Sequence, residues 1–116
     1  MEKTDIPTPG EVLSHSKSLP LAEKVGYITD LAERKWPIET TLVIHGESKR
    51  VFDNIYDEVA DKSEDSKDNL LRKLWGAINL TGRIISNFDQ DYLDKIIFEY
   101  QLKINHINSN YRHFKD

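Results

Sequence analysis

The chain has 116 residues, a formal net charge of −4 and a hydrophobic fraction of 38%. This length fits one domain with a modest core, and the acidic balance argues against nucleic acid or an anionic membrane as a partner. Cysteine is absent, which excludes disulfides, thiolate metal sites and a cysteine nucleophile. No apolar run is long enough to span a membrane, and the start of the chain is polar, so we expect a cytoplasmic protein.

The N-terminal segment changes character at residue 8. Residues 1–7 are mostly polar and are expected to be a flexible tail, whereas residues 8–116 are predicted to form a single helical domain. Thr8, Pro9 and Glu11 have the spacing of a capping box with proline at the first helical position. This pattern predicts a short first helix.

A second helix is predicted over residues 20–35. One of its faces is apolar and carries Leu21, Val25, Ile28 and Ala32. Tyr27 and Leu31 fall on the opposite face. Either this helix is buried on two sides, or Tyr27 and Leu31 belong to a protein interface.

Residues 18–35 also allow a weak helix-turn-helix interpretation. Ala22 and Gly26 stand four positions apart, as in the first helix and turn of such motifs. The helix that would read DNA then carries Asp30 and Glu33, which would repel phosphates. A DNA-binding transcriptional regulator is therefore kept as an alternative function.

Residues 38–62 can be read in two ways. The stretch Ile38–Ile44 is rich in β-branched residues, as in strands. A helix would instead align Thr41, His45, Ser48, Phe52, Ile55, Tyr56 and Val59 on one face. Because the chain has no other strand candidate to pair with, a helix is predicted. Gly46 inside it costs about 1 kcal/mol relative to alanine and could mark a bend.

The third helix also carries acidic residues at helical spacing. Asp53, Asp57 and Asp61 follow at steps of four, with Glu47 and Glu58 beside them. Like charges at this spacing destabilise a helix slightly. The functional interpretation is a docking surface for a basic partner, and the alternative is the solvated face of an acidic protein.

Two further helices complete the predicted bundle. Residues 67–86 have the widest apolar face, formed by Leu70, Leu71, Leu74, Ala77, Ile78, Thr81, Ile84 and Ile85. Residues 87–114 carry a stripe of Leu93, Ile97, Tyr100, Ile104, Ile107, Tyr111 and Phe114, with Ile96 at its edge. We expect this long C-terminal helix to be central. Phe98 and Leu102 point away from its stripe and favour either a second buried side or an interface.

Sequence motifs for chemistry are missing. The histidines lack metal-site spacing, and no glycine-rich phosphate loop or nucleophile motif is present. His45 lies on an apolar face and is interpreted as a core histidine with one satisfied nitrogen. We therefore predict neither metal nor cofactor, although an enzyme with an unrecognised site stays as a further alternative.

Together these patterns predict an all-α bundle of four main helices plus a short N-terminal helix. The predicted function is a non-enzymatic protein-binding module, of the inhibitor, immunity or antitoxin-like kind by analogy of size and class. The expected partner is a protein, with a basic one matching the acidic residues of the third helix, or a second copy of the chain. The candidate binding residues are Phe98, Leu102, Tyr27, Leu31, Asp53, Asp57, Glu58 and Asp61.

Overall fold

The computed structural model describes residues 7–59 and 65–115, with side chains of the last helix described as far as Ile107. Its helices are α1 (Pro9–Ser18), α2 (Leu21–Ala32), α3 (Ile38–Val59), α4 (Asp65–Ile85) and α5 (Gln90–Lys115). These two ranges contain no strand. The predicted all-α class, with four main helices and a short N-terminal one, is confirmed.

The capping box at the start of α1 forms as predicted. The Glu11 amide donates to Thr8 Oγ1 (3.1 Å), and the Thr8 amide donates to Glu11 Oε1 (2.8 Å). Two amides that have no partner inside the helix are thereby satisfied. Next to the box, the Thr40 hydroxyl of α3 donates to the carbonyl of Pro7 (3.1 Å).

Helix α2 is continuous from Leu21 to Ala32, and Gly26 lies inside it rather than in a turn. Residues 21–32 therefore lack the turn at Gly26 that the helix-turn-helix alternative requires. The helix ends before Trp36, whose indole Nε1 donates to the Leu31 carbonyl (2.8 Å). This bond satisfies one of the carbonyls left open at the end of a helix.

Helix α3 runs without interruption through the stretch that resembled a strand. The β-branched side chains of Thr40, Thr41 and Ile44 suit a strand. All three nevertheless lie in the core, and burial of this face favours the helix over the strand. The Gly46 position does not break the helix.

The middle of the bundle is the pair α3–α4, which forms the largest helix–helix interface. Its fully buried side chains include Ile44, Phe52, Ile55, Leu71, Leu74 and Ile78. Helix α2 packs on both members of the pair, and α1 packs on α3 and α2. Helix α5 lies along this pair with one face in solvent, so the expectation of a central α5 is corrected. The wide apolar face of α4 has three neighbours, and this gives α4 the inner position.

The predicted stripe of α5 faces the bundle. Ile96, Tyr100, Ile104 and Ile107 are buried, and Leu93 and Ile97 are half-buried. Tyr111 and Phe114 of the same stripe lie outside the residues whose side chains are described, as do residues 1–6 of the predicted tail. Among the described residues, no helix is both long and apolar enough to cross a membrane.

Candidate functional site

The outer face of α5 exposes two large apolar side chains. Phe98 is 68% exposed and Leu102 is 54% exposed. Exposed polar side chains surround them on the same face, namely those of Asp91, Asp94, Lys95, Gln101 and Asn105. We call Phe98, Leu102 and these polar neighbours the outer α5 surface. An apolar centre with a polar rim is the usual composition of a protein contact.

The second apolar pair does not form such a surface. Leu31 is only 8% exposed and belongs to the core, and Tyr27 is half-buried. The Tyr27 ring packs edge-to-face on His15, with centroids 4.5 Å apart. Burial raises the pKa of Tyr27, and Glu11 adds to this shift. For α2, burial on two sides is therefore the correct reading, and Leu31 is withdrawn as a binding residue.

The side chain of Asp53 is 43% exposed, but side chains of α5 bind its carboxylate. Its carboxylate accepts hydrogen bonds from the Tyr100 hydroxyl (3.2 and 3.3 Å) and from Lys103 Nζ (3.0 Å). Lys103 Nζ also lies 4.9 Å from the centroid of the Tyr100 ring. Burial, followed by the charge of Asp53, raises the pKa of Tyr100. We call Asp53, Tyr100 and Lys103 the Asp53 cluster; its charge is balanced within the protein.

The remaining acidic candidates fall into different environments. Asp57 is exposed, whereas Glu58 accepts a hydrogen bond from Lys67 Nζ (2.6 Å). Asp61 lies outside the described residues. The acidic surface proposed from the sequence is thus reduced, within the described part of α3, to Asp57 and a partly neutralised Glu58.

Glu47, which the sequence placed beside this acidic surface, is buried at 4% exposure. Its carboxylate accepts two bonds from Arg50 (2.8 and 2.9 Å) and one from the Ser16 hydroxyl (2.9 Å). The bond from Arg50 is the main cause that lowers the pKa of Glu47. Because Ser16 belongs to α1, this carboxylate fastens α1 to α3.

A cavity that the sequence did not predict lies where α3 meets the end of α4 and the start of α5. Its volume is about 340 Å³, and it is lined by Leu42, His45, Gly46, Lys49, Ile85, Asp89 and Tyr92. This size is at the lower end of the range for small-molecule sites. Its wall is mostly apolar, with a few polar groups.

A chain of hydrogen bonds forms one wall of this cavity. The Thr81 hydroxyl donates its only hydrogen to the Ala77 carbonyl (2.8 Å), so it accepts from His45 Nδ1–H (2.8 Å). His45 Nε2 is then the acceptor for the Tyr92 hydroxyl (2.7 Å). Lys49 Nζ donates to the Tyr92 oxygen (3.2 Å). The geometry therefore assigns the neutral Nδ1–H tautomer to His45.

His45 is a core histidine, as its apolar face indicated, but both of its ring nitrogens have partners. Burial, and secondarily the charge of Lys49, lowers its pKa from 6.5 to about 4. A Cβ at Gly82 would lie 3.3 Å from Leu93 Cδ1, which is a tight contact, and 3.7 Å from His45 Cε1, which is an ordinary one. The imidazole is thus neutral at neutral pH and is held between three helices.

Two opposite charges line the cavity. Asp89 Oδ1 accepts a hydrogen bond from the Tyr92 amide (3.3 Å) and so caps the start of α5. Lys49 lies over the Tyr92 ring, with Nζ 5.6 Å from the centroid. Among the residues that the structure describes, neither Lys49 nor Asp89 takes part in an ion pair, and no group of three acidic or histidine side chains is placed to hold a metal ion.

Sequence reasoning missed this cavity because its parts are far apart in the chain. His45 and Tyr92 are separated by 47 positions, and helical periodicity does not specify which helices meet.

Comparisons with protein-family models, with curated proteins and with solved structures found no match, so functional conclusions rest on the chain's own residues.

Proposed function

We propose that the protein is a non-enzymatic protein-binding module that acts by occupying a protein partner through the outer α5 surface. The observation that carries this proposal is the exposure of Phe98 and Leu102 on a helix whose opposite stripe is already buried. Neither side chain is needed to attach α5 to the bundle. Aromatic and aliphatic anchors inside a polar rim are typical of the energetic centre of an interface.

The rim favours a basic partner. Asp91 and Asp94 are exposed beside Phe98, and Lys95 is the exposed cation among them. Glu99, also exposed, lies 3.9 Å from Lys103 Nζ. Complementary charge around an apolar centre accelerates association and selects partners. An inhibitor, immunity or antitoxin-like role in the cytoplasm is the finer form of this proposal, and it fits a small acidic helical protein.

The test is the double variant Phe98→Glu with Leu102→Glu. Because both side chains are exposed, the free energy of unfolding should change by less than about 1 kcal/mol in a urea titration. The wild-type protein is used to capture its partner from native extract, and the purified partner is then titrated against both proteins by calorimetry. The double variant should lose this binding.

Phe88→Glu is the matched control. Phe88 is 73% exposed, but it lies in the turn before α5 rather than on the outer α5 surface. The Phe88→Glu variant should therefore retain partner binding. Equal binding of the partner by wild type and double variant would refute the proposal. Light scattering on a sizing column extends the test to self-association, which the double variant should likewise abolish if the partner is a second copy.

A further inference from the structure

We infer that the cavity between α3, α4 and α5 is a binding site for a small zwitterion with an apolar side chain, such as a free apolar amino acid. The inference is independent of the proposed protein-binding function, because it concerns different residues. It follows from the cavity's apolar wall, from the two charges at that wall and from a glycine that keeps the wall open.

The apolar part of the wall suits an aliphatic or aromatic side chain. Leu42 is 50% exposed although it lies on a helix that packs into the bundle, and Ile85 is 8% exposed. A ligand that covers Leu42 would remove apolar surface from water. Burial of apolar area is the main source of affinity at such sites.

Two side chains of opposite charge favour a ligand that carries both charges. Lys49 and Asp89 line the same cavity with opposite signs, and neither is in an ion pair within the described ranges. Tyr92 holds both of them: its hydroxyl and ring contact Lys49, and its amide binds the Asp89 carboxylate. Both charges are therefore positioned before a ligand arrives, which lowers the entropic cost of binding.

These charges match a zwitterion better than an ion of one sign. The His45 ring at the wall is neutral, so the charges of Lys49 and Asp89 balance each other. A ligand carboxylate would pair with the Lys49 ammonium, and a ligand ammonium would pair with the Asp89 carboxylate. A ligand with a carboxylate alone would gain the first contact and be repelled by Asp89; an amine alone would be repelled by Lys49.

Gly46 is a further feature of the cavity that favours a ligand. It lies in the middle of α3, where glycine is about 1 kcal/mol less favourable than alanine. No protein atom requires this glycine, since a Cβ at this position would meet nothing within 4 Å. The residue does line the cavity, and a methyl group on this wall would reduce the space for a ligand.

The ligand class is tested by calorimetric titration at neutral pH with L-leucine, 4-methylpentanoate and 3-methylbutylamine. The last two carry a similar branched tail with only the carboxylate or only the ammonium. Leucine, or another apolar amino acid such as phenylalanine or methionine, should bind at least about tenfold more tightly than either singly charged analogue, because each lacks one charge contact. The inference would be overturned if leucine, phenylalanine and methionine all failed to bind at millimolar concentration. It would also be overturned if a singly charged analogue bound as tightly as the amino acid.

Variants locate the binding to this cavity. Gly46→Ala should stabilise the protein but weaken binding of the amino acid by about tenfold or more, because the new methyl group occupies ligand space. Gly26→Ala is the matched control: Gly26 is an exposed mid-helix glycine in α2 with nothing within 4 Å of a Cβ, and it lies away from the cavity. It should gain similar stability and bind normally. Equal affinity in both variants would show that the cavity is not the site.

The charge roles are tested separately with Lys49→Met and Asp89→Asn. Asparagine retains the cap on α5, so loss of affinity in Asp89→Asn reports on charge rather than folding. Lys49→Met should reduce the preference for leucine over 3-methylbutylamine, which lacks the carboxylate. Asp89→Asn should reduce the preference for leucine over 4-methylpentanoate, which lacks the ammonium. An unchanged preference in both would refute the assignment. The Phe98→Glu, Leu102→Glu protein should bind the amino acid normally, which keeps this test distinct from that of the proposed function.

Discussion

Acidification should destabilise the protein through His45, and the size of the effect can be worked out from the structure. The imidazole is 3% exposed, and its pKa is lowered from 6.5 to about 4, first by burial and then by Lys49. Between these two values the unfolded chain binds a proton that the folded chain rejects. Stability is therefore fully present above pH 6.5 and is lost as the pH falls toward 4. At 1.36 kcal/mol per unit, the loss amounts to about 3 kcal/mol.

The measurement is a series of urea titrations, followed by circular dichroism, at pH values between about 7 and 4. His45→Gln is the control, because its amide can still donate to Thr81 and accept from Tyr92 but does not titrate. The pKa of Glu47 is lowered from 4.5, so its contribution is lost only as the pH falls below that value. Both proteins contain Glu47, so the difference between their losses of stability isolates the contribution of His45.

The wild-type protein should lose about 3 kcal/mol more than His45→Gln over this range. Parallel loss of stability in the two proteins would refute the argument, since it would mean that His45 titrates equally in the folded and unfolded chains. Nitrogen-15 spectra of the ring provide a second check, because the hydrogen-bond chain requires the proton on Nδ1.

Two substitutions in α3 should have opposite effects. Phe52→Ala should destabilise the protein by about 3–5 kcal/mol in a denaturant titration, as for a buried aromatic side chain. Phe52 is fully buried, and its ring centroid lies 4.9 Å from that of Tyr100. A loss below about 1 kcal/mol would contradict its place in the core. Asp57→Asn should leave stability unchanged or raise it by a few tenths of a kcal/mol, because an exposed like charge is removed beside Asp53. If Asp57 contributes to a basic partner's approach, the same change should slow association in stopped-flow measurements at low salt; an unchanged rate would exclude that contribution.

Much of the fold could be predicted because each signal is local. The Thr8–Glu11 box forms within one turn, and the period of the apolar residues outweighs the β-branched composition of Ile38–Ile44 because that period persists over the whole of α3. Helical phase alone also places Phe98 and Leu102 opposite the apolar stripe of α5. Such features depend only on neighbours a few positions away.

The rest depends on which helices meet. Helical phase places Leu31 opposite the main face of α2, which allowed either an interface or a second buried side; the bundle covers both sides of that helix. Asp53 looked available for a partner, yet Tyr100 and Lys103 reach it from α5, 47 and 50 positions away. Periodicity assigns a residue to a face and says nothing about the side chains that arrive from another helix. The cavity beside His45 was missed for the same reason.

The Asp53 cluster has a consequence for the register of α5. The isoleucines of the apolar stripe alone would pack almost equally well if the helix slid along its axis by one turn, about 5.4 Å. The cluster distinguishes these positions: a slide in one direction would place Ile104 and Ile107 opposite Asp53, and a slide in the other would place Ile96 and Glu99 there. The first would remove both protein donors from the carboxylate, and the second would set two carboxylates against each other. Tyr100 and Lys103 thus select one axial position for α5, and with it the height at which Phe98 and Leu102 are presented to solvent.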